Sequence, residues 1–272
     1  MTIFPGKMES HFIRRTLTLA FALMLLTLLS CTQQVVNDTS TNPFEKIKNE
    51  KIIAILTKAF QVHGGFDNWK QKQSLAFKKY FALYDEAGQT ERSVRQSHHY
   101  YYYPDPKIEI AWETEEEQHL IKQEQGKVSK WIDQELDEEV KTSSLENTIA
   151  SSTFVIGLPF KLVDPGVQLQ YAGTDTLDSE TIVDVIRADY DPNQYDNLTT
   201  PDIWWYYFDQ KDGRLCAYLV QHLDHRSYVR NLTYEEQTGF LFPKSRKSYR
   251  VDSLRNLLYL RADYVYSDFV VR

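Results

Sequence analysis

Ser74-Leu75-Ala76-Phe77-Lys78-Lys79-Tyr80-Phe81-Ala82-Leu83-Tyr84 is the stretch on which the fold turns. Leu75, Phe77, Phe81 and Leu83 alternate with Ala76, Lys78, Tyr80 and Ala82. A period of two places successive side chains on opposite faces of a strand. Glu86-Ala87-Gly88 then supplies a turn, and strand-like runs follow over 90–103, 107–113, 118–124 and 127–134. Asp105-Pro106 and Gln125-Gly126 punctuate them. β-branched and aromatic runs broken by turns every ten residues or so are the mark of an antiparallel meander.

The pattern resumes further along. Ile182, Asp184, Ile186 and Ala188 alternate with Val183, Val185 and Arg187, and 203–208 is nearly all aromatic. Asp212-Gly213 is a strong hairpin signal between that run and 214–223. Runs over 228–235, 242–251 and 257–271 complete the sheet, with Thr238-Gly239 as another turn. Two helices are predicted. In 49–63, Ile52, Ile53, Leu56, Ala59 and Phe60 recur at three- and four-residue steps, His63 lies in the last turn, and Gly64 or Gly65 supplies the left-handed cap. In 144–156, Ser143 or Ser144 is the expected cap, and Leu158-Pro159 ends the helix. Trp69 is expected in a short link. The fold class is mainly β (α+β), with residues 44–272 as one domain, since neither a repeat nor an internal linker is present.

The N-terminus reads differently. Lys7, Arg14 and Arg15 precede an uncharged stretch from Thr16 to Leu29. That stretch is short of the roughly 20 apolar residues a membrane span needs and suits a signal-peptide core. Leu28-Leu29-Ser30-Cys31 follows and resembles the lipobox of bacterial lipoproteins. The resemblance implies cleavage before Cys31 and acyl chains on its sulfur. Residues 1–30 are therefore expected to be a lipoprotein signal peptide, and 31–43 the lipidated cysteine and a polar tether.

The chain carries −7, and removing the leader's +2 leaves −9. An acidic domain without a basic stripe argues against nucleic acid and against adhesion to anionic lipid by charge. Membrane association is expected through the acyl chains on Cys31. Thr32 after that cysteine lacks the familiar aspartate signal for inner-membrane retention. The expected location is the outer membrane, periplasmic face. Cys216 is then the one thiol left, read as inert in a strand.

Motifs that carry chemistry are scarce. The chain holds no G-x-S-x-G, H-E-x-x-H, P-loop glycine pattern or Cys-x-x-Cys, and no cofactor or metal is expected. His98 and His99 are adjacent in a strand and face opposite ways; His222 and His225 are expected to do the same at the surface. The acidic run Glu113, Glu115, Glu116 and Glu117 reads as a solvated hairpin end. The aromatic runs Tyr100 to Tyr103 and Trp204 to Phe208 say more. Alternate positions face opposite sides, so both faces carry apolar surface, and the face away from the core needs a helix, a lipid-like ligand or a partner to cover it.

A family resemblance is carried by Lys58-Ala59-Phe60-Gln61-Val62-His63-Gly64-Gly65-Phe66-Asp67-Asn68-Trp69, followed by Ser74-Leu75-Ala76-Phe77. It resembles the opening of uncharacterised lipoproteins from the Bacteroidetes. Leu158-Pro159-Phe160-Lys161-Leu162, Tyr171-Ala172-Gly173, Trp205-Tyr206-Tyr207-Phe208-Asp209 and Gly239-Phe240-Leu241-Phe242-Pro243 extend the likeness. The order of elements is also similar to the outer-membrane lipoprotein carrier superfamily. That resemblance implies a curved antiparallel sheet, or half-barrel, whose concave face is covered by helices and cradles acyl chains. It brings no catalytic residues. The expected function is a lipid-anchored envelope protein that binds a lipid, acyl chain or lipoprotein, with Tyr101, Tyr103, Leu158, Phe160, Trp204, Trp205 and Tyr206 as the candidate contacts. A non-enzymatic interaction lipoprotein with a filled core and an envelope hydrolase are the alternatives. Nothing in the sequence bears on oligomeric state.

Replacing Cys31 with Ser is expected to abolish metabolic acyl labelling and leave an uncleaved precursor. Detergent-phase partitioning of labelled cells checks this, and undiminished label in the variant would refute the anchor.

Overall fold

The computed structural model describes residues 42–191 and 202–272. The leader, Cys31, nearly all of the tether and most of the irregular stretch around Pro192 and Pro201 lie outside the described residues. Residues 43–272 form a compact unit. Its thirteen strands make a single antiparallel sheet that curves without closing, a half-barrel. In chain order they are β1 (Ser74–Tyr84), β2 (Thr90–Tyr101), β3 (Lys107–Glu113), β4 (Gln118–Glu124), β5 (Lys127–Ile132), β6 (Glu135–Leu136), β7 (Val167–Leu177), β8 (Thr181–Tyr190), β9 (Ile203–Asp209), β10 (Leu215–Gln221), β11 (Arg226–Glu235), β12 (Phe242–Val251) and β13 (Leu257–Val271). Two meanders, β1 to β6 and β7 to β13, meet where β1 pairs with β13, so β6 and β7 are the two edges.

Strict alternation gives the sheet two faces. Register places Phe77, Lys79 and Phe81 of β1 beside His98, Gln96 and Val94 of β2 and near Tyr266 and Tyr264 of β13. This is the inner face, and the helices cover it. Helix α1 (Glu50–Val62) is capped by Asn49, whose side chain accepts from the Lys51 and Ile52 amides at 3.0 and 3.3 Å. It buries Ile52, Ile55, Leu56, Ala59 and Phe60. Ile53, expected on that stripe, is only half-buried, and Ile55 takes its place.

Trp69 lies in a short helix α2 (Phe66–Gln71), where a link was expected. Its ring stacks on Phe160 with centroids 5.0 Å apart and meets Phe240 and Phe242 edge-on. Helix α3 (Thr142–Ile156) starts earlier than predicted: Lys141 holds the cap position and no side chain caps it. Ser143 and Ser144 sit inside the first turn. A 3₁₀ turn (Phe160–Val163) follows. The inner core joins α1 and α3 to Leu75, Phe77, Tyr100, Ile110, Ile186, Tyr206, Phe208, Tyr218 and Tyr266 across the sheet. A second, smaller core lies on the outer face around Val183, Tyr207 and Leu219.

The end of α1 is tied to the second meander through His63, which is buried. The Leu215 amide donates to its Nε2 at 3.2 Å, so Nδ1 carries the proton and donates to the Leu241 carbonyl at 3.0 Å. Gly64, with φ +108°, passes so close to the Gly239 carbonyl that a β-carbon would lie 2.5 Å from it. His63 was expected to lend positive charge to the helix end. Burial, the largest cause, instead lowers its pKa to about 4, with Arg214 adding to the effect and the Leu241 carbonyl opposing it. The ring is neutral because a proton on Nε2 would displace the Leu215 amide.

An unfolded chain binds this proton near pH 6.5 and the folded one only near 4, so stability is complete above 6.5 and falls as pH drops through that window. The loss is at most about 3 kcal/mol. Urea unfolding between pH 7 and 4.5 is expected to show a smaller pH slope in His63→Gln than in the wild type; equal slopes would refute the assignment.

Candidate ligand-binding groove

The seven residues singled out from the sequence fall in three places. Leu158, Phe160, Trp204 and Tyr206 belong to the inner core, with relative exposures of 6%, 3%, 7% and 0%. Phe154 meets Trp204 at 5.0 Å between ring centroids, and Trp204 stacks on Tyr206 at 5.9 Å. Trp205 points to the opposite face, against the smaller core. Tyr101 and Tyr103 are exposed at the end of β2 and beyond it. The aromatic runs do supply both faces, as alternation requires. Beneath the helices, a void of about 10 Å³ is lined by His63, Leu158, Leu215, Tyr218 and Arg246 among others, enough for one water molecule.

A much larger space lies on the outer face over β13 to β5, a part of the sheet where the sequence reading placed no candidate among its lining. A groove of about 930 Å³ runs across β13, β1, β2, β3, β4 and β5, within the range of small-molecule sites. The strand register explains its composition. Ser267, Lys78, Ser97, Ala111, Leu120 and Trp131 stand side by side in one cross-strand row. Val265, Tyr80 and Arg95 start the row beside it. All of these line the groove, with Glu113 and Gln118 at its margin. One end is therefore apolar, made of Ala111, Leu120 and Trp131. The other is mixed, with the basic and polar Lys78, Arg95, Ser97 and Ser267 beside the apolar Val265 and the Tyr80 ring.

The cations there differ in their partners. Lys78 pairs with Asp268 at 2.8 Å. The Arg95 guanidinium lies over the Tyr80 ring at 4.8 Å from the centroid, and no carboxylate among the described residues pairs with it. Beneath this end of the groove, on the inner face, Lys79 sits over Phe81 and Tyr264. Its pKa is pushed down to about 7, mainly by burial and then by Arg246. Arg246 is itself buried; its guanidinium donates to the Tyr218 hydroxyl at 3.1 Å and to the Tyr266 hydroxyl, and lies over the Tyr264 and Tyr266 rings. A second outer-face cavity of about 340 Å³ lies over β7 to β10, where Trp205 and Tyr207 are joined by Arg226 and Arg255. Arg255 is held there by Asp175 at 2.5 Å.

The histidines and the thiol have structural roles. His98 is fully buried, stacked on Phe77 at 4.6 Å and 2.9 Å from the Tyr100 hydroxyl, and burial drives its pKa well down. His99 is exposed on the other face, as adjacency in a strand dictates. His222 and His225 depart from expectation. They belong to the β10–β11 turn, which brings their rings to 4.4 Å rather than to opposite faces. Asp202 holds His222 at 2.9 Å, and Asp224 holds His225 at 2.6 Å. Among the described residues no group of three or more His, Cys, Asp or Glu converges as a metal site would require. The acidic run after Glu113 is the β3–β4 turn, closed by the Thr114 hydroxyl accepting from Glu116 and Glu117 amides.

A family model covers residues 25–265, described as a family of unknown function (DUF6503). The chain belongs to the DUF6503 family. A search of the curated proteins gives no match. Among solved structures, a LolA superfamily protein from Nitrosomonas europaea is similar, with TM-score 0.52, 11% identity, and 81% of this chain and 93% of that one covered. A DUF1329 family protein from Desulfovibrio piger gives TM-score 0.52 at 9% identity, covering 80% and 92%. A domain from Vibrio parahaemolyticus described as an outer membrane lipoprotein-sorting protein gives 0.50 at 8%, covering 82% and 93%. At such identities the likeness establishes the half-barrel fold of this DUF6503 member, in agreement with the resemblance read from its sequence.

Cys216 is half-buried, its thiol directed at the Arg214 carbonyl at 3.6 Å, and burial raises its pKa to about 11. Only roughly 0.1% is thiolate at pH 8. In the protein acylated at Cys31, maleimide labelling of Cys216 is expected to be slow until denaturant is added; rapid labelling of the folded protein would contradict this environment.

Proposed function

We propose that this protein is a lipid-anchored component of a bacterial cell envelope that binds an amphiphile, such as a lipid or the acyl chains of a lipoprotein, in the outer-face groove. The groove carries the reading: about 930 Å³ of open space with an apolar end and a polar end on a rigid sheet. Tyr80, Leu120, Trp131 and Val265 supply an apolar wall on a face where solvent-facing strands are normally polar. Each methylene buried there gains about 0.8 kcal/mol, so a chain seated over half its length binds measurably. The half-barrel shared with a lipoprotein-sorting domain supports the class of ligand. In this reading Leu158, Phe160, Trp204 and Tyr206 hold the sheet in shape from inside, and the ligand meets Leu120, Trp131, Tyr80 and Val265. Acyl chains on Cys31 would keep the groove at the outer membrane, on its periplasmic side.

The densely packed inner core favours a second reading, an interaction lipoprotein whose sheet is a scaffold for a protein partner. Uptake of a fluorescent fatty-acid probe separates the two. The chain from residue 43, which contains all thirteen strands and both cores, is expected to take up the probe saturably, and Trp131→Ala to weaken uptake several-fold. Absence of uptake by the wild-type chain would leave the interaction reading standing.

A further inference from the structure

Resting on the amphiphile reading, we infer that the groove selects ligands with an anionic head, a carboxylate or phosphate, seated at Arg95 with the chain running over Ala111 and Leu120 to Trp131. The longer cross-strand row sets this direction. The first passes from Ser267, Lys78 and Ser97 at β13–β2 to Ala111, Leu120 and Trp131 at β3–β5. Polarity falls along this row, whereas the neighbouring one runs from Val265 and Tyr80 through Arg95 toward Glu113 and Gln118; it is the first row that orients the chain of an amphiphile lying across the strands.

Arg95 is the group equipped to hold the head. It stands directly opposite Tyr80 across the β1–β2 pair and rests on that ring. Stacking fixes the guanidinium plane and leaves its N–H edge available, the geometry in which arginine takes a carboxylate or phosphate with two parallel hydrogen bonds. Lys78 beside it is already engaged by Asp268, so it tunes the site more than it binds. The hydroxyls of Ser97 and Ser267 flank the same end as further donors.

The charge behind the sheet points the same way. Arg246 and Lys79 lie on the inner side of β12 and β1, and among the described residues neither has a carboxylate partner. Tyrosine hydroxyls and ring faces surround them instead. Buried charge is weakly screened, so Arg246, which keeps its proton, raises the potential at the basic end from beneath, and Lys79 adds to it only in its protonated fraction. The whole chain is acidic, with a net charge of −7, so the basic end of the groove stands against the sign of the chain as a whole.

The test uses dodecyl amphiphiles that differ only in their heads: dodecanoate, dodecyl phosphate, dodecyl maltoside and dodecyltrimethylammonium. Each competes below its micelle concentration against the fluorescent probe on the chain from residue 43. The two anions are expected to bind about tenfold more tightly than the maltoside, the advantage of one charge-assisted contact, and the cation most weakly. Arg95→Gln is expected to erase the anionic advantage, so that within that variant the anions bind no more tightly than the maltoside, Arg95→Lys to restore part of the advantage, and Trp131→Ala to weaken all four. Equal affinities for all heads, or an anionic preference that survives Arg95→Gln, would overturn head selection and leave amphiphile binding intact. Failure of every amphiphile to bind the folded wild-type chain would overturn both.

Discussion

The connection between β6 and β7 constrains everything else in this molecule. Those strands are the two edges of the sheet, and the chain between them must travel from one edge to the other. It does so across the inner face, as α3 and the 3₁₀ turn, because a half-barrel offers its shorter path there. That crossing segment needs apolar residues on its sheet side, and Leu145, Ile149, Phe154, Ile156, Leu158, Phe160 and Leu162 provide them. Phe160 then becomes the meeting point of α1, α2 and the crossing chain, through Phe60, Phe66 and Trp69.

Two buried polar arrangements show how that closed face tolerates groups an oily core would reject. His63 satisfies both ring nitrogens with backbone partners, so burial costs it little as long as it stays neutral. Arg246 has no such escape, since guanidinium does not lose its proton. It is accommodated by phenolic hydroxyls and aromatic faces on two strands, β10 and β13. The cation–π and hydrogen-bond contacts lower the cost of its burial without cancelling its charge, and the field that survives extends toward the groove.

Much of the fold was legible in the chain because its signals are local. Period-two runs, Asp212-Gly213 and the Gly-Gly after α1 mark strands and ends that the structure keeps. Where the reading failed, a local signal was broken or overridden. Strand β7 was not anticipated: Val167, Leu169 and Tyr171 alternate with Gln168 and Gln170, but past the register shift at Ala172-Gly173 the run Thr174-Asp175-Thr176 is polar on both faces. Helix α2 is too short for a periodic stripe to reveal it. Position Lys141 caps α3 although serines stand nearby, because packing of Leu145 and Ile149 decides where the helix begins. His222 and His225 were placed on a strand that ends before them, and a turn reverses the geometry inferred. The groove was missed for a different reason: alternation says which residues share a face but not which face the helices will take. Tyr80, Leu120, Trp131 and Val265 were all visible as apolar residues among polar neighbours. Their meeting depends on the register of five strand pairs, which no single window of sequence contains.

The placement of β13 sets the order in which the molecule can come together. It is the last strand in the chain, yet it lies in the middle of the sheet and pairs with both β1 and β12. Each meander can form its own local hairpins early, but the sheet is not continuous until β13 pairs Leu75 with Val271 and Tyr80 with Val265. Such distant pairings are the slow part of folding, because a long loop must close before any contact rewards it. Tyr266 of the inner core and Val265 of the groove wall arrive on that same strand. Core, groove and seam are therefore completed in one late event, the docking of β13.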